Sequence, residues 1–443
     1  MRLLIGNDLD DSILHKVDVR AWAQRIFWFA QDGDAVILMD EPDGDQLDYV
    51  TRLTGVDKST LSFFVLPNGG RFGRRMFDHQ LLLDPGFLER IRPSLADVEE
   101  VRALWHSPMV QVFLEELGLG HVWPGGEFYL QNGAECLNNM GNFRAFAKGA
   151  QVPVAEGTVC RTQDDAVYLS RLLLKKHPAV MVKKAHGGAG AGNLLLTRDE
   201  RIEGGNSGNS RRYAVDSIDA SGLPAFWAEH WDWASSNGRY PVVIEQYVRD
   251  AKSIYVEFHL DDKGSRVQEV GELQFENSRQ VREVVPTRSV SPRTRTELVA
   301  DAQKLADFYH RLGHRGFLSA DSVVRPDGTF AFTEVNAQFT GSSHLHSVIA
   351  GRLVRAWERD LSVTQMASPP EWELRSVREL QIAIENAGLG YALEADECVI
   401  PITPCIGDRG LLILAIAHPV GATVEGILDR VATSLFEGRR VKS

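Results

Sequence analysis

Apolar positions recur along this chain in strand-like runs and in helical spacing, and the alternation of the two lays out its elements. In residues 1–130 short apolar runs end on turn formers. Arg2-Leu3-Leu4-Ile5 leads into Gly6-Asn7-Asp8, Ala35-Val36-Ile37-Leu38-Met39 into an acidic turn, and Phe63-Phe64-Val65-Leu66 into Pro67-Asn68-Gly69-Gly70. Amphipathic stretches separate these runs, which predicts a small parallel α/β lobe. From about residue 132 the pattern changes. Helices are predicted over 143–148 and 163–176, strands over 179–183, 241–245 and 253–260, and a surface loop over 204–208. Leu298, Ala302, Leu305, Ala306 and Tyr309 mark a helix within 296–312. Residues 316–324 and 329–335 read as a hairpin around the turn Arg325-Pro326-Asp327-Gly328. Pro369-Pro370 suggests a boundary before a last α/β piece. The expectation is an α/β (α+β) protein of three units, 1–130, 131–368 and 369–443.

Composition narrows the class without naming a chemistry. A net charge of -12, with 44% hydrophobic and 24% charged residues over 443 positions, fits a globular protein. That charge disfavours nucleic acid and anionic lipid, and no dense Lys/Arg run offsets it. The purest apolar run, residues 411–417, is far shorter than the roughly 20 residues of a membrane helix. The N-terminus lacks the apolar core of a signal peptide. Cys136, Cys160, Cys398 and Cys405 are scattered, as expected for reduced thiols in a cytoplasmic enzyme.

Three segments carry candidate chemistry. The first is Val182-Lys183-Lys184-Ala185-His186-Gly187-Gly188-Ala189-Gly190-Ala191-Gly192-Asn193. Its glycines let a backbone close over a phosphate, and a lysine at the preceding strand end supplies a point charge. A Walker A loop would need Gly-Lys-Ser/Thr where Gly192 meets Asn193, and a dinucleotide fingerprint would need glycine at 193. Alone, the loop reads equally well as a surface turn. The second is Asp321, Glu334 and Asn336 on the hairpin, a hard all-oxygen set suited to Mg²⁺. In isolation these are three solvated polar residues. The third, Val243-Ile244-Glu245-Gln246-Tyr247-Val248, offers strand-end backbone groups and a carboxylate to an adenine edge, or is an ordinary buried strand end.

In this order the segments resemble the ATP-grasp ligases over roughly residues 138–341. The nine residues from Lys183 to Gly192 and the thirteen from Asp321 to Glu334 are spaced as in the D-alanine–D-alanine ligase branch. The resemblance implies an ATP-grasp fold behind a pre-grasp lobe, with ATP and Mg²⁺ as cofactors. Lys183 would touch the α/β phosphates, and Gly187, Gly188, Gly190 and Gly192 would close over the β/γ phosphates. Glu245, Gln246, Tyr247 and Val248 would hold adenine, and Asp321, Glu334 and Asn336 the metal. The whole chain is also similar to the peptide ligases that include the pheganomycin ligase, which add a small C-terminal α/β domain. Gly6-Asn7-Asp8, the segment from Phe332 to Gln338, and Ile400-Pro401-Ile402-Thr403-Pro404 carry that likeness.

Three positions depart from the family pattern. Arg144 stands where many members carry a nucleotide-contacting lysine, and Lys252 where the branch has a ribose-binding glutamate. Ser319 replaces an arginine that steadies the transferring phosphoryl group, which makes Arg279, Arg282 and Arg288 the expected catalytic substitutes.

The activity implied is ligation of a carboxylate to an amine through an acyl phosphate. The acyl donor would be a small nonstandard amino-acid-like acid and the nucleophile a peptide N-terminus, in peptide natural-product (antibiotic) biosynthesis. Rivals are a non-catalytic nucleotide-binding regulator, a grasp-fold small-molecule kinase and a dipeptide-forming amino-acid ligase. Nucleic acid and membrane are not expected as partners, and a homodimer is compatible with this reading. Remaining motifs read as structural. His310 and His314 are expected on a helix surface, His344 and His346 in packing or solvent, and Trp227, Trp231 and Trp233 in a core. The Asn68-Gly69-Gly70-Arg71 loop, with Arg74 and Arg75, is a carboxylate site or a solvated turn.

Overall fold

The computed structural model describes residues 1–7, 19–187, 190–203, 208–209, 211–215, 218, 221–405 and 412–442. Most of the expected 204–208 loop and part of the 411–417 run lie outside them. The first apolar runs form β1 (Arg2–Ile5), β2 (Ala35–Leu38), β3 (Ser62–Val65) and β4 (Glu100–Ala103). They are parallel, in the order β3-β2-β1-β4. Parallel sheets need both faces covered, and alternation along the strands supplies two cores. Leu3, Ile5, Ala35 and Ile37 enter one; Leu4, Val36 and Leu38 enter another, shared with Phe339, Leu345, Val363 and Ile400. The lobe is therefore welded to the rest of the chain through one strand face.

A second sheet holds β5 (Gly157–Cys160), β6 (Ala179–Lys183), β7 (Asn193–Thr197), β8 (Arg211–Ala214) and β9 (Val242–Gln246), in the order β5-β9-β6-β7-β8. Helices Gln163–Lys176 and Gly222–Ser235 cover it, with Trp227 buried and donating to Ser170 Oγ at 2.9 Å. Trp231 packs on that core, while Trp233 lies 4.7 Å from the Arg211 guanidinium.

The third sheet is antiparallel. It contains β10 (Lys252–Asp261), β11 (Gly264–Glu276), β12 (Arg279–Val285), β13 (Gly316–Val324), β14 (Phe330–Asn336), β15 (Leu361–Ala367), β16 (Cys398–Pro401) and β17 (Ile413–Pro419). Its order is β14-β13-β10-β11-β12-β15-β17-β16. Helix Pro292–Leu312 starts where the Ser291 side chain accepts from Thr294 N and ends at Gly313. It buries the apolar set that the periodicity picked out, from Leu298 to Tyr309, against one face. The other face lies under the first lobe and a π-helix, Leu345–Leu353.

Residues 369–443 do not fold round a sheet of their own. β17 pairs with β15, and β16 with β17, so the last piece widens the large sheet past Pro369-Pro370. Trp28 Nε1 and Gln46 Nε2 of the first lobe both donate to the Ile402 carbonyl, each at 2.9 Å. The four cysteines are free thiols. Among the described residues no helix is long and apolar enough to cross a membrane.

Ending the chain after residue 368 would bare the β15 edge and the shared core beside it. Such a truncation should yield aggregated protein without a cooperative thermal transition by circular dichroism. A soluble monomer with a sharp transition would show that the last piece is an independent unit.

Candidate active site

Lys183 closes β6, and strand alternation sends it and Lys184 to opposite faces. Lys184 lies half-buried over Trp233, 5.8 Å from the ring centroid, and burial there lowers its pKa. Lys183 is 5% exposed and turns the other way, with Nζ 2.7 Å from Glu245 Oε1 and donating to the Thr333 carbonyl at 2.9 Å. Glu245 Oε2 takes Arg144 Nη1 at 2.5 Å, and Arg144 Nη2 donates to the Ala155 carbonyl at 2.9 Å. One buried carboxylate therefore holds two buried cations. Arg144 sits on helix Met140–Gly149, which brings it to Glu245.

The glycine loop turns tightly beyond Lys183. Lys184 N donates to the Gly192 carbonyl at 2.9 Å, and Asn193 N to the Gly190 carbonyl at 3.1 Å. A Cβ on Gly187 would lie 2.5 Å from the Gly192 Cα, and Gly190 has φ +77°, so side chains are excluded at both places. Gly188 lies outside the described residues. At the end of β9, Glu245 is turned inward, the Gln246 N–H serves the Glu156 carbonyl at 2.7 Å, and the Tyr247 N–H serves the Ala179 carbonyl at 3.2 Å. Val248 follows at the strand end, almost buried.

The hairpin brings Asp321, Glu334 and Asn336 together. Asp321 and Glu334 are register partners, and Asn336 Nδ2 donates to Asp321 Oδ2 at 3.2 Å and to Glu334 Oε1 at 3.3 Å. Ser319, at the position of the missing arginine, donates to Asp321 Oδ1 at 2.6 Å. Burial, followed by the facing Glu334 charge, raises the Asp321 pKa well above the usual carboxylate range. Two like charges share a low-dielectric site with only neutral donors between them. Thr333, whose carbonyl receives Lys183, immediately precedes Glu334, so the lysine is bonded to the strand that carries Glu334 and Asn336.

Of the three arginines expected beside this site, Arg282 and Arg288 are held in ion pairs with other residues. Asp321 pairs with Tyr255, Tyr255 with Gly271, and Leu273 with Glu283, so Glu283 shares the Asp321 face while Arg282 points to the opposite one. Arg282 pairs there with Glu425 at 2.6 Å. Arg288 is exposed and pairs with Asp360 at 3.1 Å, and Arg279 is exposed where β12 begins. Lys252 donates to the Ser289 carbonyl at 2.7 Å. His314 is not on a helix surface: it is fully buried beyond Gly313, meeting Tyr129 OH at 2.9 Å and the Phe317 carbonyl at 2.8 Å. In the first lobe Arg71 pairs with Asp78, and Arg74 with Asp40 and Asn68. Asn7 of the Gly-Asn-Asp motif bonds the Trp105 backbone and His79, while Asp8 lies outside the described residues.

Sequence reasoning missed Tyr255, Glu257 and Glu283, which lie on the same face as the metal-type carboxylates. Along β10 the apolar residues Ile254, Val256, Phe258 and Leu260 alternate with Ser253, Tyr255, Glu257 and His259, which reads as a strand with a solvated face. That face is instead covered. The aromatic Tyr255 and the π-helix sequence were the available signals.

Residues 23–119 match the family model of the pre ATP-grasp domain. A comparison with curated proteins finds no match. Solved structures share the architecture over almost the whole chain. The ADP complex of N5-carboxyaminoimidazole ribonucleotide synthetase superposes with a TM-score of 0.57 at 14% identity, covering 99% of this chain and 97% of that one. Biotin carboxylase from Campylobacter jejuni, in a β,γ-ATP complex, gives 0.57 at 14%, covering 94% and 87%. An L-amino acid ligase from Bacillus licheniformis gives 0.52 at 14%, covering 98% and 96%. Residues 23–119 thus match the pre ATP-grasp domain, and almost the whole chain shares the fold of these enzymes.

Replacing Glu245 by Gln would leave Lys183 and Arg144 facing each other, buried and uncompensated. Removing one partner of such a cluster costs about 3–5 kcal/mol. A denaturant titration should show a loss of that size, and a loss below about 1 kcal/mol would mean that the cluster is not electrostatically closed.

Proposed function

We propose that this protein is an ATP-dependent carboxylate–amine ligase that activates an acid as its acyl phosphate and releases ADP and phosphate. One observation carries this reading: the Lys183 Nζ to Thr333 carbonyl contact joins a tight glycine turn to the strand that bears Glu334 and Asn336, whose hairpin partner bears Asp321. That contact supports the reading because it holds a cation able to reach phosphate oxygens next to carboxylates suited to a metal.

Asp321, Glu334 and Asn336 fit Mg²⁺. Their donors are hard oxygens once the Asn336 amide presents Oδ1, and the mutual repulsion of the carboxylates is relieved by a divalent ion. Bound there, Mg²⁺ would offset charge on the nucleotide phosphates. Ser319 orients Asp321 through its Oδ1, leaving the other oxygen toward Asn336. Glu245 holds Lys183 and Arg144 in place so that neither must be reordered when a phosphate arrives. In this reading the glycines at 187, 190 and 192 would let backbone N–H groups approach phosphate, and the closed turn would keep water from the activated acid. In this reading Gln246, Tyr247 and Val248 line the adenine end.

The donor is proposed to be a small nonstandard amino-acid-like acid and the nucleophile a peptide N-terminus, in peptide natural-product biosynthesis. Support comes from the motifs shared with the pheganomycin-type peptide ligases. The likeness to an L-amino acid ligase favours single amino acids as the second reading of the nucleophile.

Glu334→Ala or Asn336→Ala should abolish ADP release while leaving the fold intact, and near wild-type release at millimolar Mg²⁺ would reject the metal assignment. Lys183→Ala should weaken ATP binding about tenfold or more, and Lys184→Ala far less. Equal losses in nucleotide titrations would undo the choice of Lys183. With hydroxylamine as the acceptor, ATP and a competent acid should give a hydroxamate and ADP, and AMP would sink the phosphorylation step.

A further inference from the structure

We infer that the large sheet carries, next to the Asp321–Glu334 pair, a subsite for a protonated nitrogen: the ammonium or guanidinium group of a small substrate. Calling the occupant a substrate rests on the ligase reading above; the subsite itself rests on the side chains.

Tyr255 and Glu257 lie two apart on β10, on the face of Asp321, and Glu283 and Gln365 oppose each other across β12 and β15. Thr340, Ser343, His344 and His346 close over them from the segment entering the π-helix, a rare helix type that is frequent at functional sites. Every contact made to the two carboxylates comes from a neutral group. Glu257 Oε1 accepts from Ser343 Oγ at 2.8 Å and Thr340 Oγ1 at 3.4 Å. Tyr255 OH donates to Glu283 Oε1 and meets His346 Nε2 at 2.8 Å, while Gln365 Nε2 donates to Glu283 Oε2 at 2.8 Å.

Neither Glu257 nor Glu283 has an ion pair among the described residues. Glu257 has no exposed surface, and its Oε2 has no hydrogen-bond partner among the described residues. A buried carboxylate oxygen without a partner is costly unless something fills the place opposite it. Glu257 also feels the Glu283 and Asp321 charges, so three acids crowd one region. Arg25, the arginine near His344, donates among its contacts to the Trp22 and Phe339 carbonyls.

Two carboxylates lined with hydroxyls suit a nitrogen cation with several N–H donors. The rim at Thr340 and exposed Gly341 lies beside half-buried Asn336 on the large sheet, which puts this nitrogen close to the reacting carboxylate or amine.

The test is isothermal titration of the full chain loaded with MgADP. Glycine, glycinamide and arginine are each compared with a counterpart whose tested nitrogen is replaced by oxygen or carries no charge, namely glycolate, glycolamide and citrulline. The member with the charged nitrogen should, in at least one pair, bind about 30-fold tighter, and Glu257→Gln should cut that preference to about 3-fold or less. ADP affinity, measured in the same samples, should not change. If Glu257→Gln fails to bind ADP, Glu283→Gln decides by the same readout. Preference for glycine alone assigns the nitrogen to the acid, and preference for glycinamide alone to the amine; either supports the subsite. Equal binding within every pair, or a preference that survives substitution, overturns it. Absence of ADP formation with every acid would defeat the ligase reading and leave this titration to decide the subsite.

Discussion

The site depends on one buried lysine held between two sheets. Lys183 ends a strand of the small sheet, is fixed by Glu245 on the neighbouring strand, and donates to a carbonyl of the strand that carries Glu334 and Asn336. A long flexible cation on its own would lose considerable rotamer freedom on binding a phosphate. Here that freedom is already gone. Glu245 pays for this by accepting from Arg144 as well, so three charged groups are buried with near-complete hydrogen bonding, the condition under which buried ions are tolerated.

The opposite imbalance rules the large sheet. Asp321, Glu334, Glu257 and Glu283 share one face without a lysine or arginine bonded to any of them among the described residues. Cations crowd one side of the cleft and anions the other. A negatively charged nucleotide, a divalent ion and a nitrogen cation together would restore neutrality across it, whereas a neutral ligand would leave both sides uncompensated. The covering elements, the first lobe and the π-helix, make this imbalance strong by excluding water.

Much of the architecture was legible because periodicity and turn chemistry are local. The strands at 2–5, 35–38 and 179–183, the helix Pro292–Leu312 and the hairpin around Arg325-Pro326-Asp327-Gly328 lie where apolar spacing put them. The approach of Asp321 to Glu334 followed from hairpin geometry alone. What failed depended on tertiary burial. Arg282 was placed at the site by its position before the long helix, but the parity of a strand decides which face it takes. His314 was read as helix surface because the spacing from His310 is helical, yet Gly313 ends the helix between them. Glu257 and Tyr255 were hidden because a covered polar face has the same pattern as a solvated one. The join between β15 and β17 crosses a proline pair that looks like a linker, and no local signal reports sheet continuation across it.

The central claim is that phosphate is transferred from ATP to a carboxylate oxygen before the amide forms. Mass spectrometry of the phosphate released from an acid labelled with heavy oxygen in its carboxylate tests this most directly. The account predicts that one labelled oxygen leaves with inorganic phosphate for each amide made. Label found only in AMP, or phosphate released without label while amide accumulates, would contradict it.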